Sequence, residues 1–469
     1  MRPTVEISFD LSLAGAGDFL TLGDPVKGLL DSPTYVLAGE VKTDVSDDVR
    51  SVTIRRGRAD ETTTVDAGTA TVGLDNRLRL YDPTAPASVS PYGPSILPRK
   101  EITISVNEIP LFDGQVEDWD LEYSLSGDSV TFAKASDGFT LLAQQTLASG
   151  PGATGISGSV IYETASAAEW PLGKTALDEG TASVGVHDIT QGQKALPYLQ
   201  KIVAAESAML FIARDGTLTF RDRISPRVDF GTRFADDGTG IPFQNIEIQY
   251  GTEFLYTQAV VDYPAGSASA QSASLAVANY GLSTYTLDTF LPDGTEAGII
   301  AAFFAERYGE PTFRIVGLEV QMDKLTASQQ SELLNLDLGH GVEVTFTPNK
   351  IGSDIFRELA IDSIEHEIKR ASNNSPSEHF MRFRFFEPFL ISRSGSVEGT
   401  NGTAGSVTGF VGYFGSAEGS SGTAGDVTGF VGYVGSTTGS SGTAGSVTGT
   451  KTISFTLDTS LLDGSDGLG

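Results

Sequence analysis

Alternation of apolar and polar residues is the main pattern in the first third of the chain. Val52 and Ile54 alternate with polar neighbours, and the same period of two returns at Ile102 and Ile104. Turn dipeptides such as Asp113-Gly114 separate these runs. A period of two is typical of half-buried strands, because successive side chains of a strand point to opposite faces. The pattern therefore predicts an antiparallel barrel or sandwich in this part of the chain.

A helical period replaces the alternation after residue 190. The apolar stripe consists of Ala195, Leu196, Leu199, Ile202 and Val203. Thr190 is a candidate N-cap for this helix. The apolar run Met209–Ala213 follows, and Asp215-Gly216 separates it from Thr217–Phe220. Because Asp-Gly between two such runs is a strong hairpin signal, we expect a helix packed on a β-hairpin.

Strand-like sequence resumes near Phe243, interrupted by one helix. That helix is predicted over Ala297–Tyr308 and ends before Pro311, as a proline shortly after a helix end favours. Further strands are predicted at Ile315–Val320, Val342–Phe346, Leu359–Ile368 and Phe380–Phe386. The chain thus holds two β-rich segments on either side of the helix and hairpin.

A glycine-rich repeat occupies residues 395–449. The glycines follow a ten-residue pattern, GxxxGxxGxx, which doubles into a 20-residue unit in which Phe410-Val411 returns as Phe430-Val431. Collagen needs glycine at every third residue together with abundant proline, so collagen is excluded. Glycine costs about 1 kcal/mol per site inside a helix, which argues against a helix.

Two interpretations of the repeat stay open. A flexible Gly/Ser linker is one of them. The other is a slender stalk of close-packed extended chains, which trimerisation could stabilise. The regular return of Val407 and Val427 favours the stalk, since a linker needs no register. Its predicted packing positions are Gly405, Gly425, Phe410 and Phe430.

The net charge limits the possible functions of the chain more than its overall composition does. The 469 residues include 60 acidic and 31 basic residues, a net charge of -29, which excludes a nucleic-acid binder that works by neutralising phosphates. Solubility explains the charge, and so does a wall along which DNA slides without sticking. No apolar run is long enough for a membrane span, and the first residues lack the apolar stretch of a signal peptide. We therefore expect a protein made and used without export.

Candidate catalytic and metal-binding groups are few. Cysteine is absent, and the four histidines have no metal-ligand spacing. Acidic positions Asp44, Asp47, Asp48, Asp236 and Asp237 could hold a hard cation, but their spacing fits solvated turns better. In Glu365-His366-Glu367, strand alternation places the histidine opposite both carboxylates. The Asp-Gly-Thr triplets at 215–217, 237–239 and 293–295 are predicted to be turns. We expect no catalytic residue, no metal, no cofactor and no enzymatic activity.

Three ordered blocks resemble the hub-type minor tail proteins of siphophages that infect actinobacteria. The first block runs from Asp44 through Arg55-Arg56-Gly57-Arg58, Ala70–Asn76, Leu80–Pro83 and Ser90–Gly93. The second is the helix and hairpin from Ala205-Glu206 to Phe220–Arg223. The third comprises Ala305–Pro311, Arg314-Ile315 and Leu338–Val344. Their order, over about residues 40–390, makes the set more specific than each block alone.

The resemblance implies a fold and a place in the virion. It implies two tail-tube-like β-barrels per chain and three chains around the tail axis. The resulting ring would adapt six-fold tube symmetry to three-fold tip symmetry. Where the family pattern has an acidic residue, this sequence has His340, between Gly339 and Gly341. No family motif implies a catalytic residue.

The combined expectation is a mainly β structural protein with minor α content, a tail tip hub that lines the DNA exit channel. The predicted domains are an N-terminal arm (1–45), a first hub β-barrel (46–145), an inserted helix and hairpin (146–240), a second hub β-barrel (241–392), a Gly-rich stalk (393–449) and a C-terminal tail (450–469). Expected partners are other copies of the chain in a homotrimer, the tail tube, distal tail, tape measure and other minor tail proteins, genome DNA in transit and, in one interpretation, the host cell surface. Assembly in the host cytoplasm and a final location at the virion tail tip follow from this assignment.

Two other functions are weighed against the hub. A peripheral receptor- or glycan-binding tail protein would use the Gly-rich array, with Tyr413 and Tyr433 as sugar-stacking candidates. Copy number and position in the particle distinguish it from a hub, which lies on the axis in three copies. A peptidoglycan hydrolase would need a lytic domain, and the usual Cys/His or HxH spacing does not occur.

Overall fold

The fold is that of a computed structural model. The structure describes residues 2–9, 42–206, 208–222, 230–272, 274–370 and 377–388, together with the backbones of six strands between residues 396 and 450. The chain divides into two compact units. The first comprises Met1–Tyr250 and Thr312–Pro388, and the second comprises Gly251–Pro311 and Phe389–Gly469.

Most of the regular structure is β-strand. The strands up to the hairpin are β1 (Pro3–Ser8), β2 (Lys42–Asp44), β3 (Val49–Gly57), β4 (Asp66–Asp75), β5 (Lys100–Val106), β6 (Ile109–Tyr123), β7 (Ser129–Ser136), β8 (Gly150–Pro151), β9 (Gly155–Ile156), β10 (Thr175–Leu177), β11 (Ser183–Val184), β12 (Asp188–Ile189), β13 (Met209–Ile212) and β14 (Leu218–Arg221). Those that follow are β15 (Thr232–Ala235), β16 (Asn245–Gln249), β17 (Gln258–Tyr263), β18 (Gly266–Gln271), β19 (Thr284–Asp288), β20 (Arg314–Gln321), β21 (Gly341–Phe346), β22 (Ile355–Lys369), β23 (Glu378–Phe386), β24 (Ser396–Thr400), β25 (Val407–Val411), β26 (Ser416–Ser420), β27 (Val427–Val431), β28 (Ser436–Ser440) and β29 (Val447–Thr450).

Six α-helices accompany the strands in the described residues. They are α1 (Phe139–Gln144), α2 (Ser157–Ala167), α3 (Ala195–Glu206), α4 (Ser274–Tyr280), α5 (Gly294–Arg307) and α6 (Ala327–Leu334). None of the described helices is long and apolar enough to cross a membrane.

A 13-stranded sheet, the main sheet, lies in the first unit and contains strands from both β-rich segments. Its order is β16-β20-β23-β22-β3-β4-β7-β6-β5-β1-β2, with β21 paired to β22 and β15 paired to β21. No closed barrel is found within the described residues, so the prediction of two separate β-barrels is not supported. Strand alternation buries one face equally in a closed barrel and in a shared sheet, and sequence therefore does not distinguish the two. Pairing β3 with β22 removes a free edge from each segment.

The predicted strands of the second β-rich segment are confirmed, with ends that differ by a few residues. On β22 the residues of one phase, such as Ile364, His366 and Ile368, are buried, whereas Glu365 and Glu367 are partly exposed. The adjacent β23 alternates in the same way. One face of the sheet is therefore core, and the other is polar.

The helix and hairpin between the segments are also confirmed. β13 pairs antiparallel with β14, from Met209 opposite Arg221 to Ile212 opposite Leu218. The helix α3 begins at Ala195, so Thr190 is not its N-cap. The backbone oxygen of Thr190 instead accepts the amide of Gln193 in a preceding turn. A Ser or Thr near a helix start serves turns as readily as caps, and this explains the wrong prediction.

In the second unit, α5 packs on a three-stranded sheet. That sheet has the order β18-β17-β19. Asp293 is the N-cap of α5, and its carboxylate accepts the amides of Thr295 at 2.8 Å and Glu296 at 3.1 Å. Phe304 of α5 and Tyr308, which directly follows the helix, are buried. The Asp-Gly-Thr triplet at 293–295 is thus a helix start, and its prediction as a turn is wrong.

Parallel strand pairs with a constant offset of 20 residues run through the glycine-rich repeat. β24 pairs with β26 and β26 with β28, while β25 pairs with β27 and β27 with β29. Phe410 is the register partner of Phe430. The other predicted positions, Gly405, Gly425, Tyr413 and Tyr433, lie outside the described residues.

Candidate functional site

The two β-rich segments meet where β3 lies beside β22. Their antiparallel register runs from Gly57 opposite Ser363 to Ser51 opposite Lys369. Gly57 has φ +112°, and a Cβ there would lie 2.2 Å from the backbone oxygen of Asp362. Only glycine accommodates both the conformation and the close approach. Gly57 lies in the Arg-Gly-Arg run that is part of the resemblance to tail proteins. The close approach of β22 explains why this run needs a glycine.

Buried ion pairs connect the segments at this junction. Arg56 donates from Nη1 to Oδ1 of Asp337 at 2.6 Å, and the two residues lie 281 positions apart. Arg58 donates from Nε to Asp362 at 2.6 Å. These side chains are at most 11% exposed. Burying charges costs desolvation energy, and removing one partner leaves the other uncompensated. The two β-rich segments must therefore be joined correctly for these buried charges to be paired.

A third buried pair, between Arg314 of β20 and Glu61, repeats this arrangement. The Arg314 side chain is 11% exposed and that of Glu61 is 4% exposed. Glu61 lies in the connection between β3 and β4, so the pair again links the first β-rich segment to the second.

Asp337 is held by three parts of the chain. Its carboxylate accepts the Arg56 guanidinium, the amide of Leu338 at 2.8 Å and the amide of Arg214 at 3.1 Å. Burial alone would raise the pKa of Asp337, but the Arg56 charge and these amides hold it below its usual value. Because Arg214 lies in the hairpin turn, this one carboxylate ties the hairpin to both β-rich segments.

Two other buried carboxyls have raised pKa values. Burial raises the pKa of Asp137 to about 7, against the amides of Phe139 and Gly68 that it accepts. Burial likewise raises the pKa of Asp362 to about 6, against the opposing effect of Arg58. The junction therefore combines buried ion pairs with buried carboxyls whose pKa values are raised.

The opposite, polar face of the sheet carries a row of linked charges. Arg382 lies among three carboxylates, with Glu319 at 2.6 Å, Glu367 at 3.0 Å and Glu365 at 3.3 Å. Arg55 reaches Glu365 from β3 at 3.1 Å. The row thus crosses β20, β23, β22 and β3. Partly exposed pairs contribute little to stability, so this face is better explained by what it presents to its surroundings.

The sequence candidates for chemistry are dispersed in the structure. His366 is buried on the core face while Glu365 and Glu367 lie on the polar face, which confirms the predicted alternation of these three residues. Asp44 accepts the amide of Ser46 at 2.9 Å, as a turn carboxylate does. Among the described residues no group of three or more metal-binding side chains comes together.

The remaining acidic candidates also serve local structure. Asp47 pairs with Arg2, and Asp48 accepts the hydroxyl of Tyr81 at 2.7 Å. Asp236 accepts the amide of Thr347 at 3.0 Å, and Asp237 accepts that of Thr239 at 2.8 Å.

His340 occupies an acceptor position. Its Nδ1 accepts the amide of Asp337 at 3.2 Å. A carboxylate could accept the same amide.

The buried charges of the junction were missed at the sequence level. Arg56 follows Val52 and Ile54 in the same phase of β3, and this phase is the buried one. A charged residue at a core position of a strand is the one local signal that could have identified it. The sequence around Asp337 and Asp137 contains no local pattern that identifies their hydrogen-bond or ion-pair partners.

Comparison with known proteins supports the fold. No family model matches the chain, and no curated protein matches it. The chain is similar to the 43 kDa tail protein of prophage MuSo2 from Shewanella oneidensis, at 11% identity and TM-score 0.52, over 82% of this chain and 97% of that one. It is also similar to a tail protein of Neisseria meningitidis MC58, at 12% identity and TM-score 0.48, over 74% of this chain and 94% of that one.

A third similar structure is a component of the type VI secretion system of E. coli. The identity is 10% and the TM-score 0.40, over 74% of this chain and 78% of that one. Of these three structures the Shewanella protein has a TM-score above 0.5, and the fold assignment rests on it. The chain therefore has a fold that is also found in a prophage tail protein.

Proposed function

We propose that this chain is a structural component of a long-tailed phage and forms the hub at the tail tip. The observation that carries the proposal is the fold shared with a prophage tail protein over nearly all of that protein's length. The ordered sequence blocks that resemble siphophage hub proteins support the same position. In this proposal the protein joins the tail tube to the tip, and it has no catalytic role.

In the proposed assembly three copies form a ring around the tail axis. Each copy contributes its two β-rich segments, so that six similar elements surround the channel. The shared sheet of the first unit supports this arrangement, because the segments lie side by side and are fixed by the β3–β22 pairing. The homotrimer would contact the tail tube, distal tail and tape measure proteins and other minor tail proteins.

We infer that the polar face of the sheet lines the DNA channel. Along β3, β6, β7, β20, β22 and β23 this face carries the acids Asp118, Asp120, Glu122, Glu319, Glu365, Glu367 and Glu378 and the bases Arg55, Lys134, Lys369, Arg382 and Arg384. All of these bases except Arg384 are ion-paired with acids of the same face. Little unpaired positive charge therefore remains on these strands to hold phosphates. An acidic wall of this kind repels DNA and leaves the polymer mobile.

Copy number and position test the hub directly. We expect native mass measurement of assembled tails or tail tips to give three copies, and a low-resolution map of the particle to place them on the axis. A peripheral location would contradict the hub and support the receptor-binding alternative. An isolated monomer would not decide the matter, because assembly can need tail partners.

Binding of duplex DNA at low salt tests the channel face. We expect the assembled protein not to retard DNA there, although electrostatic binding is strongest under that condition. Replacing both Asp118 and Asp120 by lysine should produce retardation, whereas lysine at Glu163, which is exposed on α2, should not. Retardation by the unchanged protein, or equal effects of the two variants, would contradict the proposal.

The glycine-rich array is proposed as an ordered stalk. The constant offset of 20 residues supports parallel pairing inside one chain, which gives each repeat the same neighbours. Since the chain has no cysteine, introduced pairs can test this register. With Val407→Cys and Val427→Cys together, we expect a disulfide within one chain. Val407→Cys alone should give no link between chains.

If three chains pair side by side in the array, the opposite disulfide products are expected. Three copies running in parallel register would place each Val407 beside the same residue of its neighbours. The single variant would then give covalent dimers. If the array is a flexible linker, neither the disulfide within one chain nor the covalent dimer should predominate.

A further inference from the structure

Two imidazoles lie against each other in the core of the main sheet. His366 of β22 is 2% exposed, and His379 of β23 is fully buried. Nδ1 of His366 lies 3.1 Å from Nε2 of His379. At this distance one ring donates an N–H and the other accepts it through a lone pair. The contact therefore requires that the accepting nitrogen carries no proton.

The surroundings of the pair disfavour added protons. Ile54 of β3 and Met381 of β23 are the register partners of His366. Arg56 lies two residues from Ile54 on the same buried face of β3, and it repels a cation on His366. On the other side, Asp323 accepts the amide of His379 at 2.6 Å and favours a cation on that ring.

Two further carboxylates of the core face are paired with arginines. Asp337 is bound to Arg56, and Asp362 is bound to Arg58. Above about pH 6 their charges are balanced by the guanidinium groups, and below it Asp362 takes up a proton, so neither carboxyl compensates a cation on either ring.

Both rings are neutral in the folded protein at neutral pH. Burial, the neighbouring His379 and Arg56 lower the pKa of His366 well below its usual value. Burial lowers the pKa of His379 to about 4, against the opposing effect of Asp323. A histidine of an unfolded chain has a pKa of about 6.5. The pair therefore contributes stability that is complete above about pH 6.5 and is lost as the pH falls from there through about 4.

We propose that His366 and His379 form an acid-sensitive latch between β22 and β23. Protonation of the accepting nitrogen removes the hydrogen bond, because two N–H groups then face each other, and it places an uncompensated cation in the core. Because β22 also carries the pairing to β3, release of the latch loosens the join between the two β-rich segments. The proposal does not depend on the hub function.

A variant that keeps the contact but cannot titrate tests the latch. In the double variant His366→Asn and His379→Gln, the two amides replace the two nitrogens that meet. His187→Gln is the matched control, because His187 is also buried but bonds to Tyr198, at 2.7 Å, instead of a second histidine. Urea unfolding is followed for all three proteins from pH 7.5 to 4.5.

The latch predicts a difference between the profiles. The unfolding constant of the natural protein and of the control should rise about a thousandfold to ten-thousandfold more than that of the double variant, because each of the two rings contributes about a hundredfold. Asp137 and Asp362 act in the opposite direction as the pH falls, but they are common to all three proteins and cancel. Superimposable profiles for the double variant and the natural protein would overturn the latch.

Ring titration provides a second measurement, which does not need the double variant to fold. Nitrogen-15 spectra of histidine-labelled protein are recorded against pH, and His187→Gln and His340→Asn identify the other two rings. We expect His366 and His379 to remain neutral down to about pH 5. Titration of both near 6.5 would overturn the proposal.

Discussion

The main sheet and the glycine-rich array are ordered in opposite ways. In the sheet, the residues that meet are far apart in sequence, as with Arg56 and Asp337, which are separated by 281 positions. In the array, every described strand pairs with the strand 20 residues away. One arrangement depends on particular side chains at unique places, and the other depends on repetition.

This difference determines how far the effect of a substitution extends. Long-range pairing must overcome the entropy of closing a long loop, and it gains its contacts only when the whole junction forms. A repetitive structure is stabilised mainly by neighbouring repeats, so damage remains local. Substitutions at the junction should therefore affect the whole first unit, whereas those in the array should not.

The largest effect is expected from breaking the buried pair of Arg56 and Asp337. Arg56→Met removes the guanidinium and leaves the buried carboxylate unpaired, which should destabilise the first unit by about 3–5 kcal/mol. Urea unfolding measures this loss. Arg55→Met is the control, because the adjacent Arg55 side chain is 72% exposed, and it should cost less than about 1 kcal/mol. Equal losses would show that the junction does not depend on its buried charges.

A smaller effect is expected at Gly57. Gly57→Ala introduces a Cβ 2.2 Å from the backbone of Asp362 at a positive φ. Backbone strain and the shift of β22 together should cost at least about 2 kcal/mol. Gly127→Ala also has a positive φ but nothing within 4 Å of the new atom, and strain alone should cost about 1 kcal/mol. Thermal unfolding of the two variants separates strain from the clash.

The pH dependence of Asp137 gives an effect with a definite sign. Its pKa is raised to about 7 in the fold, so the stability that it contributes is complete below about pH 4 and is lost as the pH rises through 7. Asp137→Asn should remove this loss. Relative to the variant, the natural protein should lose up to about 1.4 kcal/mol per pH unit between pH 4 and 7. If the free energies of unfolding of the two proteins run parallel between pH 4 and 7, the Asp137 carboxyl is ionised in the fold over this range.

The sequence predicted the local elements of the sheet well and its long-range joins poorly. The hairpin around Asp215-Gly216 and the strands β20 to β23 follow from short patterns, because turn chemistry and alternation act over a few residues. The pairing of β3 with β22 does not follow from such patterns, since alternation is the same for either neighbour. For that reason the two barrels were expected as separate bodies, and the ion pair of Arg56 with Asp337 was not anticipated.

The smallest effect on the first unit is expected from the array. Gly405→Val and Gly425→Val together should abolish the order of the adjoining strands β25 and β27, because the close-packed backbones of the proposed stalk would leave no room for branched side chains. Hydrogen exchange of the assembled protein should show faster amides in residues 407–431. The stability of the first unit should change by less than about 0.5 kcal/mol. Thr403→Val and Thr423→Val, which add valine without removing glycine, should leave both measurements unchanged. Amides that exchange at random-coil rates in the natural protein would instead identify the array as a linker.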